Sequence, residues 1–162
     1  MPFTYEKTKI QGEASAQVTG YEGTVVRLRI PDTVDGLTVA GIGSNAFSWR
    51  TDIKEAILPA HLKMLGGFAF YNCENLSRIT LYDEIEDCYD GVIRHCKNLS
   101  EIHVHQIHGN FALVKALLGD NDRMLRLVLD TGEETICLTF PEYFSDYIED
   151  TRARAFHTKI EG

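Results

Sequence analysis

The residues best suited to chemistry stand close together at His103, His105 and His108. On a strand, His103 and His105 project from one face, and His108 follows in a connector. Neutral imidazoles at such spacing bind zinc or nickel, which makes these three a candidate metal site. No Cys or carboxylate flanks them at a ligand spacing. The acidic residues Asp120, Asp122, Glu133, Glu134, Glu142, Asp146, Glu149 and Asp150 read as a solvated face. Asp120-Asn-Asp122 lacks the glycine at the sixth and the glutamate at the twelfth position that a calcium loop needs. There is no G-x-S-x-G, no phosphate-cradling glycine loop and no H-E-x-x-H. The sequence therefore predicts no catalytic residue, no cofactor and no enzyme.

The elements that hold these residues are written as a repeat. Ile53-Lys-Glu-Ala-Ile-Leu58, Leu76-Ser-Arg-Ile-Thr-Leu81 and Leu99-Ser-Glu-Ile-His-Val104 start 23 residues apart. Each keeps apolar or small residues at its first, fourth and sixth positions, and Val25…Leu28…Ile30 fits the same slots one turn earlier. The intervening halves repeat too: Leu65-Gly66…Ala69-Phe70…Cys73 echoes Ile42-Gly43…Ala46-Phe47…Arg50, and Cys88…Ile93…Cys96 follows. This is the strand signature and period of a leucine-rich repeat. One copy cannot bury its apolar edge alone, so stacking must build the core. The outward slots carry Arg27, Arg29, Lys54, Glu55, Arg78, Thr80, Glu101 and His103. They are candidate partner-binding residues, because solenoids use such faces as extended binding surfaces.

Ile30-Pro-Asp-Thr-Val-Asp-Gly-Leu-Thr-Val39 followed by Ile42-Gly43-Ser-Asn-Ala46-Phe47 resembles the BspA-type (Treponema pallidum type) leucine-rich repeat, over residues 18–104. The resemblance implies a short right-handed solenoid and a bacterial source. It also implies non-enzymatic protein–protein or ligand interaction, since members are often surface adhesins. The Asp35-Gly36 pair inside this stretch predicts a tight hairpin.

The fold class expected is α/β (α+β): repeats with an N-terminal cap over residues 1–108, then a small helix/β-hairpin/helix unit over 109–162. In that unit Phe111–Leu118 has helical composition, Met124–Asp130 and Thr135–Phe140 alternate with period two, 142–150 reads as a helix after Pro141, and 155–160 as a strand. The register of the repeat is expected to end after Val104. A metal-dependent or enzymatic activity in the C-terminal unit is the alternative function.

The net charge of −8 argues against nucleic acid as partner, because phosphate neutralisation needs clustered Lys and Arg. No basic run suits an anionic membrane and no window is a membrane span, leaving an unknown protein as the partner. The Met-Pro-Phe-Thr-Tyr-Glu-Lys start lacks the apolar core of a secretory signal. The chain as written thus reads as cytoplasmic, or as secreted or surface-bound if a leader was removed. Cys73 and Cys96 fall in equivalent inward slots, and all four cysteines are expected reduced.

Overall fold

The structure, a computed structural model, describes residues 2–120 and 125–140. The chain opens with β1 (Phe3–Ile10), β2 (Glu13–Tyr21), β3 (Arg27–Arg29), β4 (Thr33–Val34) and β5 (Leu37–Ile42). It continues through β6 (Glu55–Ile57), β7 (Met64–Leu65), β8 (Arg78–Tyr82), β9 (Asp87–Cys88) and β10 (Glu101–His105). Helix α1 (Phe111–Gly119) and the strands β11 (Leu125–Asp130) and β12 (Thr135–Phe140) follow. One six-stranded sheet stacks β3, β6, β8, β10 and β11 in parallel and ends on antiparallel β12. The other runs β2, β5, β7 and β9 in parallel, with β1 antiparallel at its edge and β4 paired to β5. Each turn gives one strand to each sheet until the last, where α1 precedes β11 instead.

The 23-residue pattern sets the register. Leu28, Ala56, Ile79, Ile102 and Leu127 are successive partners across the parallel sheet, as are Leu81, Val104 and Leu129. All are buried in one continuous core. At the corner between the sheets Phe47 and Phe70 are fully buried and stack at 5.2 Å, 19° apart in plane. Val92 and Ile93 fill the third copy of that corner, where Phe70 N–H donates to Val92 C=O at 2.8 Å. Gly66 is required at the turn, because a Cβ there would lie 2.5 Å from Ser44 N and 2.6 Å from Gly43 C, both backbone.

The register does not end after Val104. Ile102 pairs with Leu127, a step of 25 residues rather than 23, so β11 is a further rung of the same sheet. The physical reason is α1, which takes more chain than the tight turn it replaces. Its Leu113, Val114, Leu117 and Leu118 are buried in the shared core. Asn110 caps it, accepting from Leu113 N–H at 3.1 Å, and donates from its amide to Ile85 C=O at 2.7 Å. The helix and hairpin expected within 111–140 are present, while the helix at 142–150 and the strand at 155–160 lie outside the described residues. The N-terminal segment, expected as a cap, is a hairpin of two long strands turning on Gln11-Gly12, both at positive φ (53° and 82°). The Asp35-Gly36 hairpin is present, again with both residues at positive φ.

Side chains form ladders with the same period as the core. Cys73 and Cys96 donate to the carbonyls of Phe47 and Phe70, each at 3.1 Å, and are free thiols. One turn earlier that slot holds Arg50, which has no preceding repeat to face. Its guanidinium instead donates to the carbonyls of Tyr21 (2.7 Å) and Gly23 (2.6 Å) and to Asp52 (2.8 Å). Asn75 and Asn98 donate to the carbonyls of Thr51 and Glu74. Asp52, in the equivalent place, accepts from Val25 N–H at 2.8 Å. Asp83 is buried and accepts from the backbone N–H groups of Ile107, His108 and Asn110. It thereby fixes the connector that leads into α1.

Two outcomes follow for stability. Phe70→Ala removes a stacked ring from the corner and is expected to destabilise by about 3–5 kcal/mol in urea unfolding; a loss below about 1 kcal/mol contradicts the shared core. The Arg50 hydrogen bond, helped by Val25 N–H against a cost of burial, holds the Asp52 carboxyl well below the usual carboxylate range. A depressed folded pKa stabilises above the unfolded value, near about 4, and is lost as pH falls through the folded one. The Tm gap between wild type and Asp52→Asn should therefore be widest near neutral pH and shrink under acid. A gap independent of pH contradicts the assignment.

Candidate functional site

The parallel sheet turns one flat face outward, and its rows are set by register. Arg27, Glu55, Arg78, Glu101 and Arg126 align as a row of alternating charge. Within it Arg27–Glu55 (3.6 Å), Arg78–Glu101 (3.2 Å) and Arg126–Glu101 (3.6 Å) are ion pairs. These charges are largely spent on one another, and such exposed pairs contribute ~1 kcal/mol or less each. The next row runs Arg29, Ile57, Thr80, His103 and Val128. Arg29 makes no ion pair with any described residue. Of the sequence candidates, Arg27, Arg29, Glu55, Arg78, Thr80, Glu101 and His103 lie on this face. Lys54 precedes β6 and is exposed at the strand's entry, its N–H bonded to Val26 C=O.

The three histidines part company. His103 and His105 stack on the sheet face at 5.0 Å, and Tyr82 stacks against His105 at 4.3 Å. His108 sits elsewhere, its Nε2 3.6 Å from Glu84. Glu84 also meets His61 (3.3 Å) and Lys63 (3.5 Å); burial pushes its carboxyl up, but the His61 hydrogen bond and the Lys63 ammonium outweigh that and hold it below the ordinary range. The residue that joins the histidine pair is Asp130 on β11, with Oδ2 3.5 Å from His105 Nδ1. Burial, and then His105 and Arg78 nearby, depress the His103 pKa and favour the neutral imidazole. Asp120 is not solvated as expected: its side chain is 9% exposed, accepts from Gly91 N–H and pairs with Arg94 at 3.4 Å. Burial raises its carboxyl pKa above the ordinary value.

A second surface was not singled out in the sequence. At the corner outside Phe47 and Phe70, Tyr71 makes edge contacts with Trp49 (5.7 Å) and Phe68 (5.5 Å) and lies 5.2 Å from the His95 ring. The Arg94 guanidinium lies over Phe68 at 5.7 Å. Trp49 is 65% exposed, and both Trp49 and Phe68 take left-handed backbone (φ 65° and 58°). Such backbone is uncommon for large side chains. Gly91 occupies the place equivalent to Phe68 one turn on, and a Cβ there would strike the Phe68 ring at 2.5 Å. The sequence marks this corner only by three aromatic residues, Trp49, Phe68 and Tyr71, that share no slot of the repeat: one turn on from Trp49 stands Asn72, and one turn on from Tyr71 stands Arg94.

Comparison with known proteins agrees with this architecture. A leucine-rich repeat protein from Bacteroides ovatus matches at TM-score 0.51 and 25% identity, over 64% of this chain and 30% of its own. A leucine rich cell surface protein from Faecalibacterium prausnitzii matches at TM-score 0.52 and 24% identity, over 67% of this chain and 34% of its own. The chain thus spans about a third of the length of either neighbour. No curated protein matches it. The family model described as "BspA type Leucine rich repeat region (6 copies)" matches residues 27–112. With its rungs in that register, this chain belongs to the BspA-type leucine-rich repeat family.

Proposed function

We propose that the chain is a non-enzymatic interaction module whose outward sheet face receives a protein partner. The observation that carries this reading is the row Arg29, Ile57, Thr80, His103 and Val128, whose accessible members Arg29, Ile57 and His103 (Thr80 and Val128 being buried) are less charged than the self-paired row beside it. Interfaces have this anatomy, with charge depleted at the centre and polar groups at the rim. Arg29, unpaired among the described residues, is the row's cation and the natural anchor for a partner carboxylate. In this reading residues 1–108 are scaffold with their N-terminal cap, and α1, β11 and β12 serve as a second cap or a second contact. The antiparallel turn of β12 supports that division of labour, because it ends the parallel series.

A second contact surface is favoured by the corner aromatics Trp49, Phe68 and Tyr71. Trp, Tyr and Arg are the residue types that dominate binding energy at protein interfaces, and Trp49, 65% exposed, is held outward on left-handed backbone.

Capture on the immobilised chain from lysate of the source cells separates the two surfaces. The expected result is a specific band lost in Ile57→Arg and Arg29→Glu but kept in Lys115→Glu, on the exposed side of α1. A band lost only in Trp49→Ser moves the contact to the aromatic corner. A band indifferent to all these changes, or no band, contradicts the interaction reading.

A further inference from the structure

We propose that His103, His105 and Asp130 form a binding site for a zinc-class divalent cation on the sheet face. One nitrogen from each imidazole and one Asp130 oxygen lie within 4.8 Å of one another. Modest rotamer adjustment brings such atoms to the roughly 2.0–2.2 Å that zinc requires. His103 and His105 are two residues apart on β10, so both side chains leave the same face, and Asp130 is the register partner of His105 on β11. All three therefore stand on rigid, hydrogen-bonded strands, which position a site better than loops do. Tyr82 stacks on His105, with only 16° between the ring planes, and fixes its orientation.

A second observation points to a ligand. His103 Nε2 is buried and has no hydrogen-bond partner among the described residues. A buried polar atom left unpaired costs roughly 1–3 kcal/mol. Coordination removes that cost. Arg78 donates to His103 Nδ1 at 2.8 Å, so in the free protein the imidazole proton sits on Nε2. Loading a cation at Nε2 moves that proton to Nδ1, with no net proton lost, and Arg78 must then release the ring. Glu101 stands ready to take the guanidinium, 3.2 Å from Arg78 Nε. Arg78 is thus a competitor of the metal. Two imidazoles and one carboxylate suit zinc or nickel rather than magnesium, which demands oxygen donors. They leave a coordination position to water or to another donor. The site does not depend on the face being a partner surface.

The test is isothermal titration of the full chain with zinc chloride, with magnesium chloride as control. The proposal expects saturable binding of one zinc, no magnesium heat, and at least tenfold weaker binding in both His105→Gln and Asp130→Asn. His108→Gln should bind as the wild type does, and Arg78→Gln more tightly by several-fold. No saturable zinc heat overturns the site. So does zinc binding unchanged by His105→Gln and Asp130→Asn, or lost in His108→Gln, or weakened in Arg78→Gln.

Discussion

Every other feature of this molecule depends on one constraint: no single turn of the chain can bury its own apolar edge. Leu28, Ala56, Ile79, Ile102 and Leu127 are kept from water only because each lies against the next across the sheet. Burying such a side chain is worth roughly 1.5–3 kcal/mol, so the stack gains from each added rung. The backbone obeys the same rule. At the corner, Asn45, Phe47 and Trp49 donate to carbonyls of the following turn, and Phe68, Phe70 and Asn72 repeat this one turn later. The polar ladders of Cys73 and Cys96, and of Asn75 and Asn98, add side-chain hydrogen bonds between the turns.

The ends of the stack show what replaces a missing neighbour. At the first turns, Arg50 takes the cysteine slot and binds the Tyr21 and Gly23 carbonyls, while Asp52 takes the asparagine slot and binds Val25 N–H. At the other end Asp83 gathers the connector, α1 covers the core and β12 runs antiparallel to close the sheet. At these two ends of the stack a charged or helical element thus does the work of an absent neighbour.

The strand slots were legible because a fixed period carries its own register: residues 23 apart must meet across the sheet, and they do. The same reasoning lost the rung at Leu127 and Leu129, because a helix lengthened the step to 25 and hid the apolar-x-x-apolar-x-apolar segment that begins at Met124. That lost rung is also why Asp130 escaped notice as the neighbour of His105, and why His108, nearer in sequence, was grouped with the histidine pair. The N-terminal hairpin was hidden for another reason. Its turn is Gln11-Gly12, with a non-glycine residue at positive φ, and its strands show polar side chains along an exposed edge. The aromatic corner was illegible because Trp49 and Phe68 depart from the common backbone preferences of their residue types.

Native-state hydrogen exchange measures the claim of a single stacked core most directly. The account predicts that amides of β8, β10 and β11 share one slow, cooperative exchange regime, with those of β11 as protected as those of β10. Rapid exchange of β11 while β8 and β10 stay protected would contradict it, since Leu127 and Leu129 would then not be part of the stack.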